Sequence, residues 1–170
     1  IIFYEILKFF KNKLFLILLY FSISFLSYTM YFFYHYDYYL FNLLIYTIII
    51  FDVFSYFVGY SLGKNYPFKN ISPNKTIEGY IGGIFFTNLL IISYYLFIEN
   101  NYFSNNIVLL NIIIISSLIG DLIQSWFKRI NYIKNSSNFL PGHGGFFDRF
   151  DSFVFSIICL TFYSFIISWI

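Results

Sequence analysis

Charge is what this sequence has least of. Only 11% of its 170 residues are Asp, Glu, Lys or Arg, and the formal net charge is +2. So small a balance leaves no electrostatic footprint for nucleic acid, and the ten basic residues matter through their placement. Cysteine is nearly absent: Cys159, alone inside an apolar run, excludes a disulfide framework or a cysteine zinc site and reads as a small buried hydrophobe. The chain begins with Ile1 and shows no short apolar segment followed by a cleavage site. No signal peptide is therefore read, and a piece of a longer protein is expected. What abounds is apolar: 59% of residues are hydrophobic and 27% aromatic, with a mean hydropathy of +0.73. A soluble domain of this length could not hide that much apolar surface, so lipid must be its solvent.

Apolar runs fall at 14–34, 40–61, 78–98, 107–127 and 151–170. Each is near the roughly 20 residues that a helix needs to cross a bilayer core of about 30 Å. The expectation is an all-α polytopic transmembrane helix bundle of about five spans, forming a single catalytic domain over 1–170. Residues 1–13, with Glu5, Lys8, Lys11 and Lys13, form either an interfacial amphipathic helix or the end of an earlier span. Every basic residue falls on one side. Lys8, Lys11 and Lys13 precede the first span; Lys64, Lys69 and Lys75 follow the second; Lys128, Arg129, Lys134 and Arg149 follow the fourth. The loops around His35 and Asp37 and from Glu99 to Asn106 carry none, which predicts a cytoplasmic N-terminus and a C-terminus opposite.

Five of the eight acidic residues, Asp52, Glu78, Asp121, Asp148 and Asp151, lie inside spans or at their cytoplasmic ends. A charge at mid-membrane costs about 2.5–3.5 kcal/mol on insertion scales, so such groups face a polar cavity or a partner. The plainer reading of Glu78 and Asp148 is that they begin helices, at the positive end of the dipole. Asp121, Ser125, Lys128 and Arg129 are spaced i, i+4, i+7 and i+8, along one helical face. Carboxylates suit a hard cation and Lys and Arg suit phosphate, so the stripe implies a metal-bound phosphate ligand. Alternatively, Lys128 and Arg129 snorkel to lipid headgroups.

The loop that follows weighs against snorkelling. Pro141, Gly142, Gly144 and Gly145 surround His143 and lead to Asp148, Arg149 and Asp151. Glycines let successive backbone N–H groups approach an anion, and carboxylates at i and i+3 share a helical face on which metal could be held. His143 reads equally as a backbone-bonding turn residue or a ligand contact, and His35, on the far side, as uninvolved. An upstream block holds Asp52, Tyr56, Gly59 and Gly63, then ISPNKTIEGYIGG at 71–83. The pairs Gly59/Gly63 and Gly79/Gly83 have the spacing of close helix packing.

Ser125, Lys128, Arg129, Lys134, Pro141, His143, Gly144, Gly145, Asp148, Arg149 and Asp151 stand in the register of the phosphatidate cytidylyltransferase signature, which this stretch resembles. Ser72, Pro73, Lys75, Thr76, Glu78 and Gly79 are similar to that family's upstream block. Asn135 stands where the family generally has Asp, and Ser137 where bacterial-type members generally have Gly. The resemblance covers about 45–170, the family having further N-terminal helices.

It implies transfer of the cytidylyl group of CTP to phosphatidate, giving CDP-diacylglycerol and pyrophosphate, at a cytoplasmic-side site using Mg²⁺, with a second metal ion left open. Asp121, Asp148 and Asp151 become the metal ligands and, with Lys128 and Arg129, the catalytic group. Ser72, Lys75, Thr76, Glu78, Ser125, Lys134, His143, Gly144, Gly145 and Arg149 become substrate-binding. The implied partners are CTP, phosphatidate and the bilayer, without nucleic acid and with a homodimer left open. Rival readings are another CTP-dependent lipid transferase or polyprenol kinase, a transporter using Asp52 and Asp121 as intramembrane ion ligands, or an inactive relative.

Overall fold

A computed structural model of the chain describes residues 1–34, 36–98, 103–137, 139 and 144–169. Among the described residues six α-helices follow in order: α1 (Ile2–Phe9), α2 (Leu14–Tyr34), α3 (Tyr38–Leu62), α4 (Ile77–Ile98), α5 (Phe103–Ile130) and α6 (Asp151–Trp169), with a 3₁₀ turn at Phe147–Arg149 before the last. Five of them, α2 to α6, are long and apolar enough to cross a membrane, so the chain is a multi-pass membrane protein. Large side chains such as Phe15, Phe33, Phe57 and Phe97 stand exposed along these helices, where lipid rather than water is their neighbour.

The chain divides into two compact units, Ile1–Tyr36 with Ser116–Ile170, and Asp37–Ile115. In the second, α3 starts at Asp37, whose side chain accepts from Tyr39 N–H at 2.8 Å and so satisfies one of the orphan donors of the first turn. Gly79 is where α3 and α4 meet. A Cβ there would lie 2.6 Å from the Ser55 carbonyl oxygen and 3.0 Å from Gly59 Cα. The two small-residue pairs therefore do serve packing. Farther along, Asn88 and Asn111 exchange amide hydrogen bonds at 3.3 and 3.4 Å, joining α4 to the first half of α5.

In the first unit, hydroxyls bind helices to one another. Ser24 Oγ donates to the Val154 carbonyl at 2.7 Å, and Ser116 Oγ to Ser156 Oγ at 3.1 Å. Helix α1 is eight residues long, far too short to span. Its inner face sets Ile6 and Phe10 into a core with Ile17, Phe127 and Phe147, and Phe10 meets Phe147 edge to face with ring centroids 5.7 Å apart. Its outer face exposes Phe3, Tyr4 and Leu7 beside Lys8, the pattern of a helix lying in the membrane interface. The connection to α2 is latched: Asn12 N–H donates to Asn131 Oδ1 at 2.6 Å, and Asn131 Nδ2 donates back to the Asn12 carbonyl at 3.1 Å.

The spans lie within a few residues of those expected, except that α5 runs from 103 to 130 rather than 107 to 127. Ser104, Asn105 and Asn106, which suggest a loop by type, form its first turn. Lys128 and Arg129 form its last, where cations complement the helix dipole.

Candidate active site

The stripe on α5 faces inward. Asp121, Ser125 and Lys128 are buried, 6, 7 and 9% exposed, while Arg129 is half-buried. Lys128 does not snorkel to headgroups. Its Nζ lies 3.0 Å from Asp148 Oδ1, in an ion pair whose side chains are 11 and 13% exposed. Asp148 reaches that position because the 3₁₀ turn lifts it towards α5, and Gln124, one turn before Lys128, anchors the same turn by donating to the Phe147 carbonyl.

The other oxygen of Asp148 is also engaged. Oδ2 accepts from Ser136 N–H at 2.8 Å, Gly145 N–H at 3.0 Å and Ser136 Oγ at 3.1 Å. Burial alone would raise the carboxyl's pKa. The Lys128 charge and the Gly145 and Ser136 donors outweigh that and hold it below the ordinary value.

Gly144 has φ +83°, open to glycine at little cost, and a Cβ on it would lie 2.8 Å from Asp148 Oδ2. The nest expected to meet an anionic ligand is thus lined with the protein's own carboxylates. Gly145 N–H is spent on Asp148, while Phe146 and Phe147 N–H donate to Glu5 at 3.0 and 2.9 Å.

Glu5 is a residue that the motifs did not mark. It is 1% exposed, and its carboxylate also accepts from Ser137 Oγ at 2.5 Å, with Ser136 Oγ, which shares its one proton with Asp148, 3.4 Å away. Ser137, which departs from the family's Gly, spends its hydroxyl here. Gln124 and Ser136 went unmarked too; only Gln124 had a signal, since i+3 from Asp121 puts it on the same helical face.

Other expected residues are placed as follows. Asp151 opens α6 and its Oδ1 accepts from Ser152 N–H at 2.9 Å. Arg129 Nη1 donates to the Ile133 carbonyl at 3.4 Å, and Lys134 and Arg149 are exposed. His143, with Pro141 and Gly142, lies outside the described residues, as does His35.

In the second unit, Thr76 and Glu78 organise the start of α4. Thr76 Oγ1 accepts from Gly79 N–H at 3.1 Å, while Glu78 accepts from Lys64 N–H at 3.1 Å, Asn65 N–H at 3.2 Å and Asn65 Nδ2 at 2.7 Å. These bonds give both residues a local task, as the helix-start reading of Glu78 implies. Ser72 lies in the turn before them, its carbonyl accepting from Lys75 N–H at 3.4 Å.

Magnesium is the cation that the resemblance implies. Among the described residues no three His, Cys, Asp or Glu side chains form a metal-binding group. Donor chemistry separates the three carboxylates. A cation at Asp148 competes with Lys128. Asp121 and Asp151 lie on touching turns, since a Cβ on Gly120 would be 2.8 Å from the Asp151 carbonyl oxygen. Magnesium takes one or two protein carboxylates and completes its shell with water and phosphate, so Asp121 and Asp151 have the donor type that such an ion requires.

A sequence profile of the cytidylyltransferase family matches residues 5–167. The phosphatidate cytidylyltransferase of Staphylococcus aureus (strain COL) is 40% identical over 111 residues, which are 65% of this chain and 43% of that protein. That of Staphylococcus haemolyticus (strain JCSC1435) is 41% identical over 111 residues, again 65 and 43%. That of Bacillus subtilis (strain 168) is 41% identical over 112 residues, 65 and 42%. The chain thus spans less than half the length of these curated relatives. The profile runs from within α1 to within α6 and takes in both the Lys128–Asp148 pair and the glycine turn, so this chain belongs to the cytidylyltransferase family.

Proposed function

We propose that this chain is the catalytic part of a phosphatidate cytidylyltransferase. A phosphatidate phosphate oxygen attacks the α-phosphorus of CTP, the new P–O bond forms as the bond to the β-phosphate oxygen breaks, and CDP-diacylglycerol and pyrophosphate leave. The observation that carries this reading is the buried Lys128–Asp148 pair, fixed against the Gly144–Gly145 backbone within the family match.

Displacement between two anions needs positioning and charge neutralisation more than a protein nucleophile. Lys128 supplies a cation whose place is set before substrate arrives, because Asp148 holds its ammonium and Asp148 is itself held by Ser136 and Gly145. Arg129, Lys134 and Arg149 add positive charge around it for the triphosphate and the lipid phosphate. Ser125 and the glycine turn shape the wall. Asp121 and Asp151 are the carboxylates proposed to hold Mg²⁺, which when bound neutralises phosphate charge and polarises the reacting phosphorus. Ser72 and Lys75 are proposed as further substrate contacts on the strength of the upstream motif.

The one-sided distribution of Lys and Arg supports an orientation in which this loop faces the cytoplasm and CTP. The test is incubation of the detergent-solubilised full-length protein with phosphatidate, Mg²⁺ and labelled CTP. Label in CDP-diacylglycerol is the expected result. No labelled lipid product, or transfer from CTP only when a polyprenol replaces phosphatidate, would refute the reading.

A further inference from the structure

Glu5 lies outside every motif that marks the catalytic loop, yet it touches both ends of it. Ser136 and Ser137 lead into the loop and Phe146 and Phe147 lead out; Ser137, Phe146 and Phe147 donate to this one carboxylate, and the Ser136 hydroxyl, its one proton nearer Asp148, lies 3.4 Å from it. Every group within reach of this carboxylate can donate, so it serves the loop as an acceptor. Burying it is costly unless those bonds are made, and apolar packing of α1 would be served as well by a hydrocarbon at position 5. What a hydrocarbon could not do is satisfy the Phe146 and Phe147 N–H groups, which need partners where they are buried. The packing is close, since a Cβ on Gly145 would lie 2.7 Å from Ser137 Oγ and 2.9 Å from Glu5 Oε1.

The Ser136 hydroxyl stands between this carboxylate and Asp148, 3.4 Å from Glu5 Oε2 and 3.1 Å from Asp148 Oδ2. Asp148 in turn holds Lys128. Helix α1 is a firm base for the contact, wedged by Ile6 and Phe10 under Phe147 and latched through Asn12 to Asn131.

We propose that Glu5 is a positioning residue, which from the N-terminal helix ties Ser137 to Phe146 and Phe147, either side of the catalytic loop, and so sets the place of Asp148 and Lys128. The proposal rests on the cytidylyltransferase reading of that loop. It is tested with Glu5→Gln in the full-length protein, an isosteric change that turns one accepting oxygen into a donor facing donors. Amide hydrogen exchange across 144–148, measured without substrate, is expected to quicken by about tenfold or more, the weight of one lost charge-assisted bond. Turnover should fall by about a hundredfold through misplacement of the reacting groups, with the KM for CTP changed by less than about threefold.

Exchange and kcat both at their unmutated values would overturn the proposal. So would a loss carried by KM at constant kcat, which would make Glu5 a substrate contact. If Glu5→Gln is not monodisperse, Ser137→Ala removes a single bond to the same carboxylate: faster exchange at Phe146 and Phe147 is then expected, and unchanged exchange overturns the proposal. If the unmutated protein makes no CDP-diacylglycerol, the cytidylyltransferase reading fails, while the exchange result still decides whether Glu5 pins the loop.

Discussion

Asp148→Asn separates a charge-pairing carboxylate from a simple helix-start residue, because asparagine would serve well as a cap. The amide cannot reproduce what Asp148 does. If its oxygen stays with Lys128, its NH₂ confronts the N–H groups of Ser136 and Gly145; if it is flipped, the NH₂ confronts the ammonium. Breaking a buried pair by removing one partner costs about 3–5 kcal/mol. With the side chains 11 and 13% exposed, the lower end, about 3 kcal/mol, is appropriate. For a chain of this size that lowers the thermal midpoint by about 6–12 °C.

The assay is the midpoint in detergent by fluorescence-detected size exclusion, alongside CDP-diacylglycerol formation, for Asp148→Asn, Lys128→Met and the double variant. Turnover should be lost in all three. The double variant should be more stable than the sum of the singles by at least about 1 kcal/mol, since removing both charges leaves neither stranded. The pair also predicts a pH dependence. The carboxyl's value is depressed on folding, so its contribution is complete above the ordinary 3.8 and is lost as pH falls through the lower folded value. An Asp148→Asn protein with an unchanged midpoint and near-normal turnover, or strictly additive singles, would refute the reasoning.

Gly144→Ala should destabilise by about 1–2 kcal/mol from the positive φ alone, and more from the contact with Asp148, read as a lower midpoint and a steep loss of turnover. Asn135→Asp, whose site is beside Gly144 and exposed, should keep or raise activity, and complete loss in a monodisperse protein would show that this turn works differently from the family's. A cysteine at Asn105 should react with an impermeant thiol reagent from outside and one at Asn70 should not, and reversed labelling would turn the proposed orientation over.

The membrane spans were legible because apolar length is a property of consecutive residues. The stripe Asp121, Ser125 and Lys128 was legible because helical spacing needs only the period of the backbone. Lys128 nevertheless had two readings, lipid headgroup or phosphate, and the structure supplies a third partner in Asp148. That pairing depends on a 3₁₀ turn no local pattern announces. Glycines at 144 and 145 signalled close approach, but not that carboxylates of the chain itself would be what approaches. Glu5 was read only as one charge in a short basic segment, since its partners lie 131 to 142 residues away and nothing in its neighbourhood encodes them.

That separation has a consequence for biosynthesis. At about 5–20 residues per second, Glu5 leaves the ribosome several seconds or more before Ser136 to Phe147 exist. Until then its carboxylate rests in water at the bilayer surface, and α1 has only its own apolar residues to hold it there. The desolvation of Glu5 must therefore follow insertion of α5, so the loop closes on a helix that has been waiting for it. Chains halted before residue 136 should insert α2 to α4 yet leave α1 open to protease, with protection arriving only once the last turn before α6 has been made.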